Sequence, residues 1–309
     1  TIDVYPQKGN LTWMRNPVAH TGGINNLIID LARLDSKIPI KVSGVVGDDE
    51  NGQFIVDSLR EYPNINIEGI VKKGRTAVTF AMTEKESKQR TFFFDPGTSL
   101  EFNEKQIDFK KIKADILLLL GTLDQPDEDY GTKAAKVLAT AQKYEMETSV
   151  DMVSEEGNRY QKVVWPALKY TDYCVVNEVE GTGVTGIQLY DKDGIKEENM
   201  RKGLEKLKEL GVKKWAIIHS PACGYGLNCQ TGEFVKVPSF KLPKGFIKGT
   251  TGAGDAFCSG VLYAAYQRES IEKALYYGAI TAACSLSKED STSGVMDLKE
   301  MKLFMKTNV

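Results

Sequence analysis

Small residues and one carboxylate are concentrated at residues 249–257, in the run GTTGAGDAF. The apolar pattern that follows predicts a helix, so the peptide N–H groups of Gly252, Ala253 and Gly254 would converge at its N-terminus. Converging N–H groups bind anions, and Asp255 beside them could accept a proton from a hydroxyl that attacks a bound phosphoryl group. Taken alone, the run fits a glycine-rich turn equally well, with Asp255 only favouring the helix dipole. We expect this dipole to keep Asp255 ionised and therefore a weak base.

Asn177 and Glu180 form a second candidate group, directly after the β-branched run at residues 173–176. In a helical turn both side chains face the same way, and Glu180 could then hold a hydrated Mg²⁺ beside nucleotide phosphates. The same N-x-x-E pattern is that of a capping box. The fragment alone favours the cap, and the magnesium role stays open.

Gly181, Gly183 and Gly186 spell G-x-G-x-x-G, the dinucleotide-binding fingerprint. That fingerprint requires a second strand ending in an acidic residue about 20 positions later, whereas here the acidic residues come sooner, in a polar loop. We therefore do not expect an NAD-dependent dehydrogenase. The sequence contains no Walker A motif, and its two histidines leave little material for a Ser/His/Asp triad or a His-rich metal site.

Gly22 and Gly23 precede a predicted helix that carries Asn26 in its first turn. Glycines let a ligand approach the backbone closely, and the Asn26 amide can bond to it. An ordinary flexible turn with a polar helix start explains the pattern equally well.

The segments that must position these residues alternate between helix and strand. Apolar residues at helical spacing and short β-branched runs predict helices at 24–35, from 54 onward, and at 127–144, 158–168 and 200–210, and strands at 40–46, 115–120, 148–152, 173–177 and 215–219. This alternation is typical of an α/β protein with a doubly wound, mostly parallel sheet.

Two segments interrupt the alternation with the pattern of a hairpin. Residues 76–83 (TAVTFAMT) and 90–95 (RTFFFD) flank a polar stretch, and residues 10–15 could add a third strand. Long insertions into α/β units are often active-site lids. We predict a single α/β domain over residues 1–309, with a small inserted β-sheet lid formed by about residues 4–20 and 72–98.

The composition favours a small-molecule partner. Forty Lys and Arg against 42 Asp and Glu give a net charge of −2, so no basic surplus attracts nucleic acid or an anionic membrane. The five cysteines are scattered and odd in number, which favours reduced thiols and a cytoplasmic location. The apolar runs are too short for a membrane helix, and residues 1–6 resemble the tail of a strand.

As a set, these motifs resemble the signatures of the ribokinase family, the PfkB-type carbohydrate kinases. The run at 249–257, with Gly260 following, resembles the C-terminal signature, and Gly22-Gly23, residues 31–34 (LARL) and residues 44–52 (GVVGDDENG) resemble the N-terminal one. The resemblance covers nearly the whole chain. It implies a sheet core with an inserted β lid that transfers the γ-phosphoryl group of ATP to a hydroxyl of a sugar or nucleoside.

The resemblance also implies roles for single residues. The general base falls on Asp255 and the anion hole on Gly252, Ala253 and Gly254. The remaining roles fall on the following positions: Asn177 and Glu180 for magnesium through water, Asp3, Gly22, Gly23 and Asn26 for the sugar, and Ser220, Gly224 and Gly294 for the nucleotide, together with Gly252 and Gly254. A homodimer through the lid is expected, and lid residues such as Trp13 and Arg90 would set specificity.

Departures from the family pattern narrow the substrate. Gly249 stands where the family often has an Asp that helps bind a monovalent cation, so the sequence leaves potassium activation open. Gly121 and Thr122 replace the Glu of ribokinases proper. We therefore expect a fructokinase-like sugar kinase rather than a ribokinase, with a nucleoside kinase or a non-catalytic sugar or nucleotide sensor as alternatives.

Overall fold

A computed structural model describes residues 1–15, 17–86, 90–120, 125–152 and 159–309, with the side chains of residues 120 and 159 left out. Its helices are α1 Ile24–Leu34, α2 Glu50–Arg60, α3 Phe109–Ile112, α4 Lys133–Lys143, α5 Arg159–Leu168, α6 Glu178–Thr185, α7 Glu197–Glu209, α8 Ala253–Tyr266, α9 Ile271–Ser285 and α10 Leu298–Asn308. Its strands are β1 Ile40–Val46, β2 Ile65–Lys72, β3 Val78–Thr83, β4 Arg90–Asp95, β5 Ile116–Leu120, β6 Pro126–Asp127, β7 Gly131–Thr132, β8 Glu147–Asp151, β9 Tyr173–Asn177, β10 Tyr190–Asp191, β11 Gly194–Ile195, β12 Trp215–His219, β13 Cys223–Asn228 and β14 Phe234–Pro238.

The central sheet has the strand order β14-β13-β12-β9-β8-β5. The strands β5, β8, β9 and β12 run parallel, and β13 and β14 add an antiparallel edge. A separate parallel pair joins β1 to β2. The predicted α/β fold with a mostly parallel sheet is confirmed.

Helices cover both faces of this sheet, as the strand sequences require. In β9, Tyr173 and Val175 pack into the cluster formed with α1, α8, α9 and α10, while Cys174 and Val176 pack into the cluster on the opposite face with α6 and α7. Successive side chains of a strand point to opposite faces, and a strand buried on both faces must therefore be apolar throughout. Burial on both faces fixes the position of the sheet. The carboxyl ends of its parallel strands are not covered in this way and can carry polar groups.

Most predicted elements form near their predicted positions, and the largest differences are at the starts of two helices. Helix α2 begins at Glu50, earlier than its apolar pattern suggested, because the Asp49 carboxylate caps it by accepting from the Gly52 N–H at 2.8 Å. Helix α4 begins at Lys133, later than expected, because β6 and β7 form a small hairpin before it.

The lid hairpin, defined here as β3 and β4, forms as predicted, with Val78 opposite Asp95 and Thr83 opposite Arg90. The predicted third strand at residues 10–15 was wrong: Met14 makes only an isolated bridge with Ile2. Hydrogen bonds between the Thr1 and Arg15 backbones flank this bridge, but within the described residues the pairing does not extend into a strand.

None of the helices described is both long enough and apolar enough to cross a membrane.

Candidate active site

The N-terminus of α8 is built on a glycine that no other residue could replace without strain. Gly252 is the N-cap of α8 with φ 80°, a left-handed conformation that favours glycine. A Cβ at Gly252 would also collide with the backbone of Ser291, whereas a Cβ at Gly254 would lie 3.7 Å from its nearest neighbour, Cε1 of His219. The first turn of α8 therefore has open space above Gly254, where an anion could approach its N–H groups.

Asp255 lies in this turn and is held by a residue from the other end of the sequence. Asn26 Nδ2 donates to Asp255 Oδ2 at 2.8 Å. The amide oxygen of Asn26 accepts from Ser291 Oγ at 3.1 Å and from Thr21 Oγ1 at 3.3 Å, so its NH₂ group is turned toward the carboxylate. The two motifs singled out in the sequence thus meet at one hydrogen bond.

Burial raises the pKa of Asp255 to about 6, and the hydrogen bond from Asn26 opposes this rise. The expectation of a weak base rested on the helix dipole and is corrected here, because loss of hydration outweighs stabilisation of the charge. A carboxylate with this pKa is ionised at neutral pH and is a better proton acceptor than an exposed Asp.

Asp151, at the carboxyl end of β8, is a further carboxylate of this site that the sequence analysis missed. Its pKa is raised well above the usual value by burial and by the charges of Asp255 and Glu180. Ligands of open α/β sheets bind outside the carboxyl ends of the strands. An acidic residue ending a predicted parallel strand was the signal that could have revealed it.

Asn177 and Glu180 form the capping box that their spacing predicted. Asn177 Oδ1 accepts from the N–H groups of Val179 and Glu180, and Glu180 Oε2 accepts from the Asn177 N–H at 3.0 Å. Glu180 is buried at the start of α6. Across the described ranges, no group of three or more His, Cys, Asp or Glu could hold a metal ion by itself. Mg²⁺ keeps several waters and is commonly held by only one or two carboxylates. Asp151 is close enough to Glu180 and Asp255 for their charges to act on it, so a hydrated Mg²⁺ beside Asp151 and Glu180 would offset this repulsion.

The predicted sugar-binding residues divide into two groups. Gly23 is the N-cap of α1 with φ 54°, and the space around Gly22 is open. Because Asn26 lies in the first turn of α1, both glycines are near Asn26 and its partner Asp255. Asp3 instead accepts from Arg15 Nη2 at 2.8 Å, in a pair exposed on both sides. The structure shows no contact between Asp3 and Asp255.

The predicted nucleotide-binding residues lie where the backbone packs closely against neighbouring residues. Ser220 Oγ donates to the Cys223 carbonyl oxygen at 3.1 Å in the turn between β12 and β13. A Cβ at Gly224 would press on Phe257, and one at Gly294 would collide with the backbone of Cys284. Packing alone thus explains both glycines, and any contact with a nucleotide would be made by their backbone.

The lid hairpin reaches the glycine-rich loop through Arg90. Its guanidinium donates to the hydroxyls of Thr251 and Thr250, the latter at 3.1 Å. Trp13, the other predicted specificity residue, is 77% exposed.

The glycines of the dinucleotide fingerprint serve helix α6. Gly181 and Gly183 lie within it, and Gly186 ends it with φ 72°, so they line no phosphate-binding strand-to-helix turn. The departure noted at Gly121 and Thr122 lies outside the described residues.

Known proteins match most of this chain. Residues 2–297 match the family described as pfkB family carbohydrate kinase. A 5-dehydro-2-deoxygluconokinase of Listeria monocytogenes is 28% identical over 300 residues, covering 91% of this chain and 85% of the relative. A probable fructokinase of Arabidopsis thaliana is 27% identical, covering 84% of this chain and 75% of the relative.

Solved structures show the same fold. A ribokinase from Thermotoga maritima superposes with a TM-score of 0.78 at 22% identity, covering 99% of this chain and 94% of that one. A fructokinase from Xylella fastidiosa crystallised with ATP gives a TM-score of 0.72 at 19% identity, with 92% and 89% covered. The chain belongs to the pfkB family of carbohydrate kinases, which makes it an ATP-dependent kinase of sugars.

Proposed function

We propose that Asp255 is the general base and that the N–H groups of Gly252, Ala253 and Gly254 form the anion hole of this kinase. The observation that carries the proposal is the 2.8 Å hydrogen bond from Asn26 to Asp255. It joins the glycine turn proposed for the acceptor sugar to the loop proposed for the phosphoryl group.

In this proposal these residues catalyse in-line phosphoryl transfer. A sugar hydroxyl, oriented beside Asn26, gives its proton to Asp255 as its oxygen bonds to the γ-phosphorus, and the bond from that phosphorus to the bridging oxygen of ADP breaks. The N–H groups at the start of α8 stabilise the charge on the transferring group. Asp255 needs no catalytic partner to be ionised, because its pKa of about 6 lies below neutral pH.

When bound, Mg²⁺ would neutralise part of the negative charge of the ATP phosphates. Asn177 and Glu180, together with Asp151, are the residues that would hold it, through water. The family's monovalent cation has less support, since a Cβ at Gly249 would lie 2.8 Å from the Glu289 carbonyl oxygen, so this backbone leaves no room for the Asp that often stands there.

We further propose a six-carbon sugar with a free hydroxymethyl group as the acceptor, which the names of the relatives support: a 5-dehydro-2-deoxygluconokinase and a probable fructokinase. Asp3, Gly22 and Gly23 would orient it. The backbones at Ser220, Gly224 and Gly294 would adjoin the nucleotide. The five cysteines are free and buried, which supports a reducing, cytoplasmic compartment.

The test measures ADP release from ATP and Mg²⁺ with fructose, 5-dehydro-2-deoxygluconate, ribose and a nucleoside as acceptors. We expect a six-carbon acceptor to give the highest kcat/KM. Preference for the nucleoside would replace the sugar assignment, and ATP binding without turnover on any acceptor would indicate a sensor.

Asp255→Asn tests the base. It should lower kcat by about 10³-fold or more while ATP still binds, and Asp57→Asn, on the exposed side of α2, is the matched control. An Asp255→Asn variant with kcat near that of the control would remove Asp255 from its role.

A further inference from the structure

Arg90 carries a positive charge to the glycine-rich loop from a distant part of the chain. It is the first residue of β4 and lies opposite Thr83, and its guanidinium donates to the hydroxyls of Thr250 and Thr251. Its carbon Cζ lies 5.8 Å from the centre of the Phe92 ring. Since residues 90 and 92 share one face of a strand, this face of the lid hairpin is the one from which Arg90 reaches the glycine-rich loop.

The partners of this guanidinium are neutral, unlike those of Arg15 and Arg75. Arg15 is paired with Asp3 and Arg75 with Asp95, but within the described ranges no carboxylate forms an ion pair with Arg90. Burial lowers the pKa of Arg90, and no acidic group among the described residues offsets this effect. A half-buried cation without a counterion is costly, and an anionic ligand at this place would remove that cost.

The place itself lies between the two substrates that the proposed function requires. On one side, Thr251 directly precedes Gly252, the first residue of the proposed anion hole. On the other, the Thr83 carbonyl opposite Arg90 accepts from the Ile2 N–H at 2.9 Å, and Asp3 follows. A group at Arg90 is thus close to the path between acceptor and phosphoryl donor.

We propose that Arg90 is a further catalytic residue, whose guanidinium turns from the Thr250 and Thr251 hydroxyls onto the oxygens of the transferring phosphoryl group. The inference rests on the proposed function. The guanidinium stays protonated throughout and transfers nothing. Its planar set of N–H donors matches two phosphoryl oxygens at once, and its charge stabilises the transition state more than the ground state.

Arg90→Gln and Arg90→Lys test this role, with Arg75→Gln as the matched control on the base of the same hairpin. Arg90→Gln should lower kcat about 100- to 1,000-fold for every acceptor, with KM for ATP within about threefold of wild type. Arg90→Lys should recover part of the loss, and Arg75→Gln should change kcat by less than about threefold.

A binding measurement separates the transition state from ordinary substrate binding. Calorimetry should show ADP binding unchanged in Arg90→Gln, but binding of ADP with aluminium fluoride and sugar, a planar phosphoryl mimic, weakened about 100-fold or more. A wild-type enzyme that is inactive on all acceptors would refute the proposed function itself.

Three outcomes with an active wild type would overturn the role of Arg90. An unchanged kcat in Arg90→Gln is the first. A rise in KM confined to acidic acceptors is the second, because it would place Arg90 on a substrate carboxylate. The third is an equal loss in Thr250→Val/Thr251→Val, because the arginine would then only fasten the hairpin to the loop.

Discussion

Asp255 combines a buried carboxyl, with a pKa raised to about 6, and one hydrogen bond from Asn26 that lowers it. A base must be ionised to accept a proton, so kcat/KM should fall about tenfold per pH unit below about pH 6. Removing the Asn26 amide removes the influence that lowers the pKa, so Asn26→Ala should move this acid limb to higher pH. A pH–rate profile of both proteins checks this. An acid limb that stays in place in Asn26→Ala would assign it to another group.

Asp30, in the helix α1 that also carries Asn26, is a second buried carboxyl whose pKa is affected by the charge of Asp255. It is fully buried, neither carboxyl oxygen has a hydrogen-bond partner, and its pKa is raised well above the usual value by burial and by the charge of Asp255. A raised pKa means that the folded state binds the proton more tightly than the unfolded state, so its contribution to stability is lost as pH rises above the unfolded value of about 3.9.

Asp30→Ala should therefore increase the free energy of unfolding by about 1 to 3 kcal/mol at pH 8 and by less at pH 4. Urea unfolding at the two pH values measures this difference. Asp30→Asn is the control that keeps the shape and the unpartnered polar atoms. A destabilised Asp30→Ala at pH 8 would show that Asp30 has a favourable partner.

At the scale of elements, the start of α8 contains two glycines that differ in role: Gly252 is needed for folding, and Gly254 for the proposed binding of phosphate. Gly252 needs a positive φ and has Ser291 against it, while Gly254 has open space. Gly252→Ala should cost about 1 to 3 kcal/mol of stability as well as activity. Gly254→Ala should leave stability nearly unchanged and lower kcat/KM, because its methyl group enters the space proposed for the phosphates. Thermal unfolding and steady-state kinetics of the two variants check this contrast, and a fully active Gly254→Ala would place the anion elsewhere.

The start of α6 permits a similar separation, since a capping box accepts Gln as well as Glu at N3. Glu180→Gln keeps the hydrogen bond to the Asn177 N–H but removes the charge. We expect an unchanged melting temperature and a several-fold higher Mg²⁺ concentration for half-maximal activity. Asn177→Ala should instead lower stability by about 1 kcal/mol. An unchanged Mg²⁺ requirement in Glu180→Gln would leave Asn177 and Glu180 as a helix cap only.

At the scale of the whole molecule, the sequence predicts local elements better than it predicts the site. The bounds of β9 and β12 follow from β-branched runs that are buried on both faces. The meeting of Asn26 with Asp255 and of Arg90 with Thr251 spans 229 and 161 positions of the chain, and no periodicity encodes such contacts. The family resemblance assigned Asn26 and Asp255 to one site but did not predict the hydrogen bond between them. The base strength of Asp255 depends on burial, which is a property of the packed molecule. The end of a predicted strand could have pointed to Asp151, but its closeness to Asp255 and Glu180 is evident only in the fold.

At this scale the lid hairpin suggests an oligomer. Two strands alone are marginally stable in water, so packing against another surface would stabilise them. One face carries Arg90 and Phe92 toward the active site. On the other face Phe80 lies directly opposite Phe93, and the two rings are 57% and 56% exposed. Exposed paired aromatic rings at this density are typical of an interaction surface. We propose that this outer face packs on the same face of a second copy, since a two-fold interface uses one patch twice.

Sedimentation equilibrium over a range of protein concentrations tests the dimer. Wild type should sediment as a dimer at micromolar concentration, and Phe80→Lys or Phe93→Lys should give a monomer, because a buried unpaired charge at the centre of the interface is costly. Phe54→Lys, an equally drastic change at a ring of α2 that is 41% exposed, should leave the dimer intact. Since the hairpin that carries Arg90 would lose its support, the monomeric variants should also lose kcat. A wild type that sediments as a monomer, or a dimer that survives Phe93→Lys, would place the interface on another surface.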